Sequence, residues 1–140
     1  MTIERGLLDT STVILLGEVA DPASLPEDCV ISAITLAELT VGPQVAASDL
    51  ERAARQAHLQ QAEADFEVLG FDAAAARAFG RVSASLRAAG RKPRARAFDA
   101  LIAASAIAEG VPLFTCNPLD FSGIDGLEVH EVRLGAGEDH

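Results

Sequence analysis

The sequence predicts an α/β domain built on a largely parallel sheet. Three observations carry that expectation. Short apolar runs of strand length alternate with longer segments of helical periodicity, a pattern that makes helices the crossovers between parallel strands. The 140 residues suit one domain with its own core, and no repeat, low-complexity tract or linker divides them. Apolar residues make up 49% of the chain and charged residues 23%, the balance of a soluble folded protein rather than a disordered one.

The elements follow in order. Gly6-Leu7-Leu8 is a short apolar run before Asp9 and reads as a buried strand. Thr10, Ser11 and Thr12 offer N-caps for a short helix over 13–16, and Pro22 and Pro26 mark a loop. Residues 29–31 form a second strand, and 34–41 a helix closed by Gly42-Pro43. Ser48 and Glu51 make a capping box. It opens a helix whose apolar face is Leu50, Ala53, Ala54 and Ala57, at i, i+3, i+4 and i+7. A third strand covers 67–71, and Asp72 caps the helix after it. There Ala75, Phe79, Val82 and Leu86 form the buried face, with Arg77, Arg81, Arg87 and Arg91 opposite. Gly90 suits the C-cap, and Pro93 prevents continuation. Residues 98–108 are apolar on almost every side except at Asp99 and Ser105, which predicts a helix buried against the sheet and closed by Gly110. Strands at 112–115 and 127–132 complete the domain, which is expected to span 1–134, with 135–140 a frayed tail.

Several function classes are excluded early. No apolar run approaches the ~20 residues of a membrane span. The first residues lack a basic flank followed by an apolar block, so no signal peptide is expected. Cys29 and Cys116 are too few for a disulfide framework, and their spacing matches no zinc site. A reducing cytoplasm is therefore the expected setting. The net charge of −10 hides an asymmetry. Residues 1–70 hold three basic side chains against twelve acidic ones, and residues 71–140 hold eight against nine. Between 73 and 98 no acidic residue occurs, while Arg77, Arg81, Arg87, Arg91, Lys92, Arg94 and Arg96 do. Such polarisation suits a surface aimed at an anion; a solvated helix face accounts for it equally well.

Four carboxylates stand beside apolar residues that should face a core: Asp9 in LLDTS, Glu38 in TLAEL, Asp99 in AFDALIAA and Asp120 in NPLDF. A carboxylate taken out of water must be paired, hydrogen-bonded or bound to metal. Asp9 and Asp120 follow strands directly and belong at the carboxyl edge of the sheet, where the binding crevice of an open α/β fold lies. Each also has a plainer reading. Asp9 can be a helix cap and Glu38 a solvent-facing residue. Asp99 can serve the helix dipole, and Asp120 can be a turn residue after Pro118. Together the four form an all-oxygen set suited to Mg²⁺ or Mn²⁺.

LLDTS, an isolated glutamate in a helix at 38, FDALIAA, and T-x-N-x-x-D-F over Thr115, Asn117, Asp120 and Phe121 resemble the PIN domain, in particular the VapC-type ribonuclease toxins. The resemblance runs from Asp9 to the last strand. It implies a three-layer fold with a five-stranded, largely parallel sheet between helices, a homodimer, and a Mg²⁺ site in which Mn²⁺ can substitute. Carried over by position, it makes Asp9, Glu38, Asp99 and Asp120 the catalytic set, with Asp9, Asp99 and Asp120 as metal ligands. Thr10, Ser11, Thr115 and Asn117 are then polar helpers. Cys116 departs from the polar or basic residue common at its position. The reaction implied is hydrolysis of RNA phosphodiester bonds by metal-activated water, restrained by a small VapB-like antitoxin. Arg91, Lys92, Arg94 and Arg96 are the candidate RNA contacts. His58, His130 and His140 are expected to be structural or exposed. With 4% aromatic residues and no Trp or Tyr, base stacking cannot dominate recognition. Two rivals remain: another acidic metal-dependent phosphoester hydrolase, and a non-catalytic acidic module for a basic protein partner.

Overall fold

The structure, a computed structural model, describes residues 3–92 and 96–135. Arg94 and the tail beyond Gly135 lie outside these residues. Five strands, β1 (Arg5–Leu8), β2 (Asp28–Ser32), β3 (Glu67–Leu69), β4 (Leu113–Thr115) and β5 (Val129–Glu131), form one sheet in the order β3-β2-β1-β4-β5. Every neighbouring pair is parallel. Leu7 and Leu8 point to opposite faces of the central strand, and both are fully buried. That is why β1 reads as a continuous apolar run: helices cover the sheet on both sides.

The helices are α1 (Thr10–Ile14), α2 (Ala33–Val41), α3 (Asp49–Asp65), α4 (Ala73–Ala88) and α5 (Ala97–Glu109). One core lies between the sheet and the α4–α5 pair, where Leu7, Val30 and Leu113 meet Val82, Leu86, Ile102 and Phe121. The other holds Leu8, Ile31 and Phe114 of the sheet against Val13, Leu39 and Ala62. The expected three-layer α/β architecture is therefore present. Each large side chain buried in these cores adds ~1.5–3 kcal/mol relative to exposure. The α4–α5 contact depends on small residues: Ala75, Ala78, Ala100, Ala103, Ala104 and Ala106 are all essentially inaccessible, which lets the helices approach closely.

Two elements differ from the sequence reading. The stripe Leu50, Ala53, Ala54 and Ala57 faces solvent, and Leu50 is 83% exposed. The inward stripe of α3 is instead Arg55, Leu59 and Ala62, continued by Phe66. Leu59 and Phe66 offer far more apolar area than alanines do, and Arg55 is drawn inward because its Nη1 donates to Gly42 O (2.9 Å). The segments Leu16–Glu18, Pro22–Ser24, Gly42–Val45 and Pro118–Phe121, read as loops or helix ends, each form a turn of 3-10 helix. The predicted faces of α4 are otherwise present: Ala75, Val82 and Leu86 are buried with Ala78, Phe79 packs partly, and Arg77, Arg81 and Arg87 are exposed. Arg91 lies beyond the helix end and is not part of that face.

Candidate active site

The topology brings the four carboxylates to one edge of the sheet. Asp9 immediately follows β1, and Asp120 sits in the 3-10 turn Pro118–Phe121 that follows β4. The helix α5 leads into β4, so its first turn, carrying Asp99, lies where the strands end. Glu38 lies on α2, which leaves the carboxyl end of β2.

Asp9 is 4% exposed and caps α1. Its Oδ1 accepts from Thr12 N (3.1 Å) and from Thr12 Oγ1, while Oδ2 accepts from Thr115 Oγ1 (2.7 Å) and Ser11 Oγ (3.2 Å). The cap and the site are thus the same residue, and neither reading of Asp9 excludes the other. Thr115 Oγ1 also accepts from Asn117 N (2.9 Å), and Asn117 Nδ2 donates to Ser11 Oγ (3.3 Å). On the other side, Thr10 Oγ1 donates to Glu38 Oε1 (2.6 Å) and lies 3.0 Å from Thr35 Oγ1. All four predicted helpers, Thr10, Ser11, Thr115 and Asn117, therefore lie in the network around the carboxylates. Thr12 and Thr35, both fully buried, are members that the sequence reading missed. Their signal was present: Thr12 stands three residues after a capping aspartate, and Thr35 precedes Glu38 by three on the same helix face.

Asp99 and Asp120 are held differently. Arg96 Nη1 lies 3.0 Å from Asp120 Oδ1 and 3.9 Å from Asp99 Oδ2. Burial, and after it the charges of Asp120, Asp9 and Glu38, push the Asp99 carboxyl up to about 6, with Arg96 offsetting in part. The charges of the three other carboxylates reach Asp99 from the same edge of the sheet. Among the described residues no three such side chains are drawn close enough to close on one ion. The donor set is all oxygen and its charges are mutually unfavourable, which is the environment a hard divalent cation relieves. The residues fit such an ion.

The basic window divides. Lys92 and Arg96 are exposed. Arg91 instead turns its guanidinium onto the Asp120 turn, donating to the carbonyl oxygens of Leu119 (3.2 Å) and Ser122 (3.0 Å). Cys116 lies beside Thr12, which contacts its sulfur and accepts from its backbone N–H (3.1 Å). Burial pushes the thiol up, so it stays protonated at neutral pH. His58 lines a cleft beside Glu38, and His130 stacks on Phe114 and bonds Glu128.

Residues 7–127 match the PIN domain family. Ribonuclease VapC5 of Mycobacterium tuberculosis is 39% identical over 133 residues, covering 94% of this chain and 96% of that protein. A solved structure from the same organism, VapBC-5 of the VapBC family of toxin-antitoxin systems, is similar at a TM-score of 0.79 and 35% identity, over 91% of this chain and 98% of that one. FitAcB from Neisseria gonorrhoeae is similar at a TM-score of 0.73 and 25% identity, over 90% and 96%. The family match over residues 7–127, a 39% identical relative of matching length and the similarity in fold agree, and the chain belongs to the PIN domain family, among its VapC-type members.

Proposed function

We propose that this protein is the toxin of a VapBC-type toxin–antitoxin pair: a divalent-cation-dependent ribonuclease working in the cytoplasm. What supports the reading is the convergence of Asp9, Glu38, Asp99 and Asp120 on one edge of the sheet, where the charges of the other three add to burial in raising Asp99. The ribonuclease assignment of a 39% identical relative supports RNA as the substrate. Asp9, Asp99 and Asp120 would hold Mg²⁺, or Mn²⁺ in its place. Such an ion supplies the positive charge that lets a nucleophile approach an anionic phosphodiester, and it acidifies the attacking water. The chain's own residues do the rest. Thr12, Thr115 and Ser11 hold both oxygens of Asp9, which fixes the orientation of this carboxylate. Thr10 fixes Glu38 Oε1, which leaves Oε2 to orient the water and take its proton. Lys92, with Arg87 at the end of α4, offers a cation to the flanking phosphates, while Arg96 pairs with Asp120 and Asp99. Phe98 and Leu119, 57% and 80% exposed, give a second copy of the chain an apolar face beside Asp99 and Asp120.

The antitoxin has a place to bind. A cleft of about 560 Å³ is lined by Thr10, Ile14, Glu38, Leu39, Arg55 and His58 among others, and Val41 at the end of α2, Val45 in the turn after it and Leu50 at the start of α3 are exposed. Glu38 belongs to both the cleft and the carboxylate set. An amphipathic arm lying in the cleft therefore ends at the catalytic charges, where a basic side chain can pair with them. The relatives crystallised as toxin–antitoxin complexes support this reading.

The test is cleavage of RNA by purified protein in Mg²⁺, with EDTA and Asp9→Asn as controls. Both controls should abolish cleavage. Turnover that survives EDTA, or an Asp9→Asn variant working at the wild-type rate, would overturn the reading. Co-expression with the neighbouring small gene should give a stable, inactive complex; a complex that cleaves at full rate would refute blockade of the cleft.

A further inference from the structure

Arg91 does not belong to the helix face on which its spacing places it. Gly90, at φ +76°, ends α4 in the left-handed conformation. Gly90 N–H donates to Arg87 O (3.0 Å) and Arg91 N–H to Leu86 O (2.8 Å), the paired bonds of a Schellman cap. Arg91 therefore leaves the helix from a backbone position fixed by two hydrogen bonds, directed at the loop that follows β4. There its Nη1 donates to the carbonyl oxygens of Leu119 and Ser122 and meets Ser122 Oγ. Those carbonyls flank Asp120, one before it and one after.

The rest of the helix end grips the same loop. Gly123, at φ +83°, comes so close that a Cβ there would lie 3.1 Å from Ala89 Cβ and 3.5 Å from Arg91 Cδ. Two residues on, Asp125 N–H donates to Ser85 Oγ (3.3 Å). The turn Pro118–Phe121 is a single 3-10 turn, too short to fix its own orientation. The end of α4 supplies the fixed reference.

We propose that Arg91 is a positioning residue for Asp120: its guanidinium clamps the carbonyls on both sides of that residue, so that the carboxylate is presented to the cleft. The proposal rests on the nuclease reading for what Asp120 does, and on the geometry alone for what Arg91 does. It removes Arg91 from the set of phosphate contacts that its charge suggests.

The experiment compares wild type with Arg91→Gln and Arg91→Lys, the latter keeping the charge and one donor nitrogen but not the planar guanidinium. First, amide hydrogen exchange is measured without metal. Exchange at Asp120 and Ser122 should quicken in Arg91→Gln and recover in part in Arg91→Lys, while the centre of α4 is unchanged. Second, Mn²⁺ alone is titrated into each protein. Removing a side chain that orients a ligand weakens metal affinity by about 10–100-fold. RNA cleavage by Arg91→Gln should then need more Mg²⁺ for half-maximal rate, with the saturated rate near that of wild type. Third, RNA binding is followed against salt. A phosphate contact contributes ~1 to the slope of log affinity on log salt, and a positioning residue leaves the slope unchanged. Unchanged exchange in the turn, or a lowered salt slope with unchanged Mn²⁺ affinity, would overturn the proposal. Wild-type protein that binds no Mn²⁺ while the turn still loosens in Arg91→Gln would strike the nuclease reading and leave the clamp standing.

Discussion

Asp99 carries a cost that can be measured without substrate. In the folded, metal-free protein its carboxyl titrates at about 6, against 3.8 for an unperturbed aspartate, because burial and then the charges of Asp120, Asp9 and Glu38 disfavour the anion. Between these values the folded chain binds more protons than the unfolded one, so stability falls as pH rises from 3.8 through about 6. The favourable contribution is complete below 3.8, and above 6 it is gone. Asn at this position carries no charge at any pH. A gap of about two pH units corresponds to at most ~3 kcal/mol. The side chain is 30% exposed, and screening by water together with the favourable dipole at the start of α5 reduces the figure to ~1–2 kcal/mol. Asp99→Asn should therefore stabilise the metal-free protein by that amount at neutral pH, raising Tm by ~3–8 °C. Thermal unfolding in EDTA from pH 3.5 to 8 reads the effect: the two curves should converge at the acid end, separate between pH 3.8 and about 6, and keep a constant gap above that. Adding Mn²⁺ should raise the wild-type Tm and move the variant much less. Equal Tm values across the range, or a variant less stable at pH 7.5, would refute the argument that the site carries strained negative charge.

Asp9→Asn should abolish cleavage as Asp99→Asn does, yet lower stability, by ~1 kcal/mol, because two hydroxyls that donate to a carboxylate oxygen would meet an amide NH₂; urea unfolding in EDTA separates the two variants. Gly6→Ala should cost ~1–3 kcal/mol by overpacking, since a Cβ at Gly6 would lie 2.5 Å from Phe114 Cε1 in the buried β1–β4 layer, and the denaturation midpoint reports it. Val45→Asp with Leu50→Asp should leave stability within ~0.5 kcal/mol, because both side chains are exposed, and should weaken capture of the co-expressed antitoxin in a pull-down. Replacing Arg87 and Lys92 by Gln should lower the salt slope of RNA binding by ~1 for each phosphate that these side chains neutralise; an unchanged slope returns them to ordinary solvated side chains.

The fold was legible because its signals are local and of the right period. Apolar runs flanked by Gly, Pro and capping residues located every strand, and the 4-3-4 spacing of α4 located its buried face. The orientation of α3 was not legible. Alanines at helical spacing carry too little apolar area to decide a face, and the decisive groups, Leu59, Phe66 and the Arg55–Gly42 bond, act through partners distant in sequence. Arg91 misled for a related reason. Its charge and spacing say surface, whereas its donors are consumed by carbonyls 28 and 31 residues away.

The carboxylates were legible as out of place, but not the means by which the chain tolerates them. Several acidic groups at one edge of the sheet call for compensating cations, and Arg96 supplies one to Asp120 and Asp99, but a cation held on every carboxylate would compete with the divalent ion the site is proposed to bind. The structure instead surrounds Asp9 and Glu38 mainly with neutral donors, the hydroxyls of Thr10, Ser11, Thr12 and Thr115. A hydroxyl or a backbone N–H satisfies the lone pairs of a buried carboxylate without cancelling its charge. Such donors let the chain fold around concentrated negative charge and still leave that charge open to a cation or to a basic partner. Replacing Thr115 or Thr12 by Val conserves shape, removes one donor from Asp9 and leaves a backbone N–H, that of Asn117 or of Cys116, without its acceptor. A site built on this principle should then lose cation affinity and stability together, and Thr→Ser, which keeps the hydroxyl, should restore most of both.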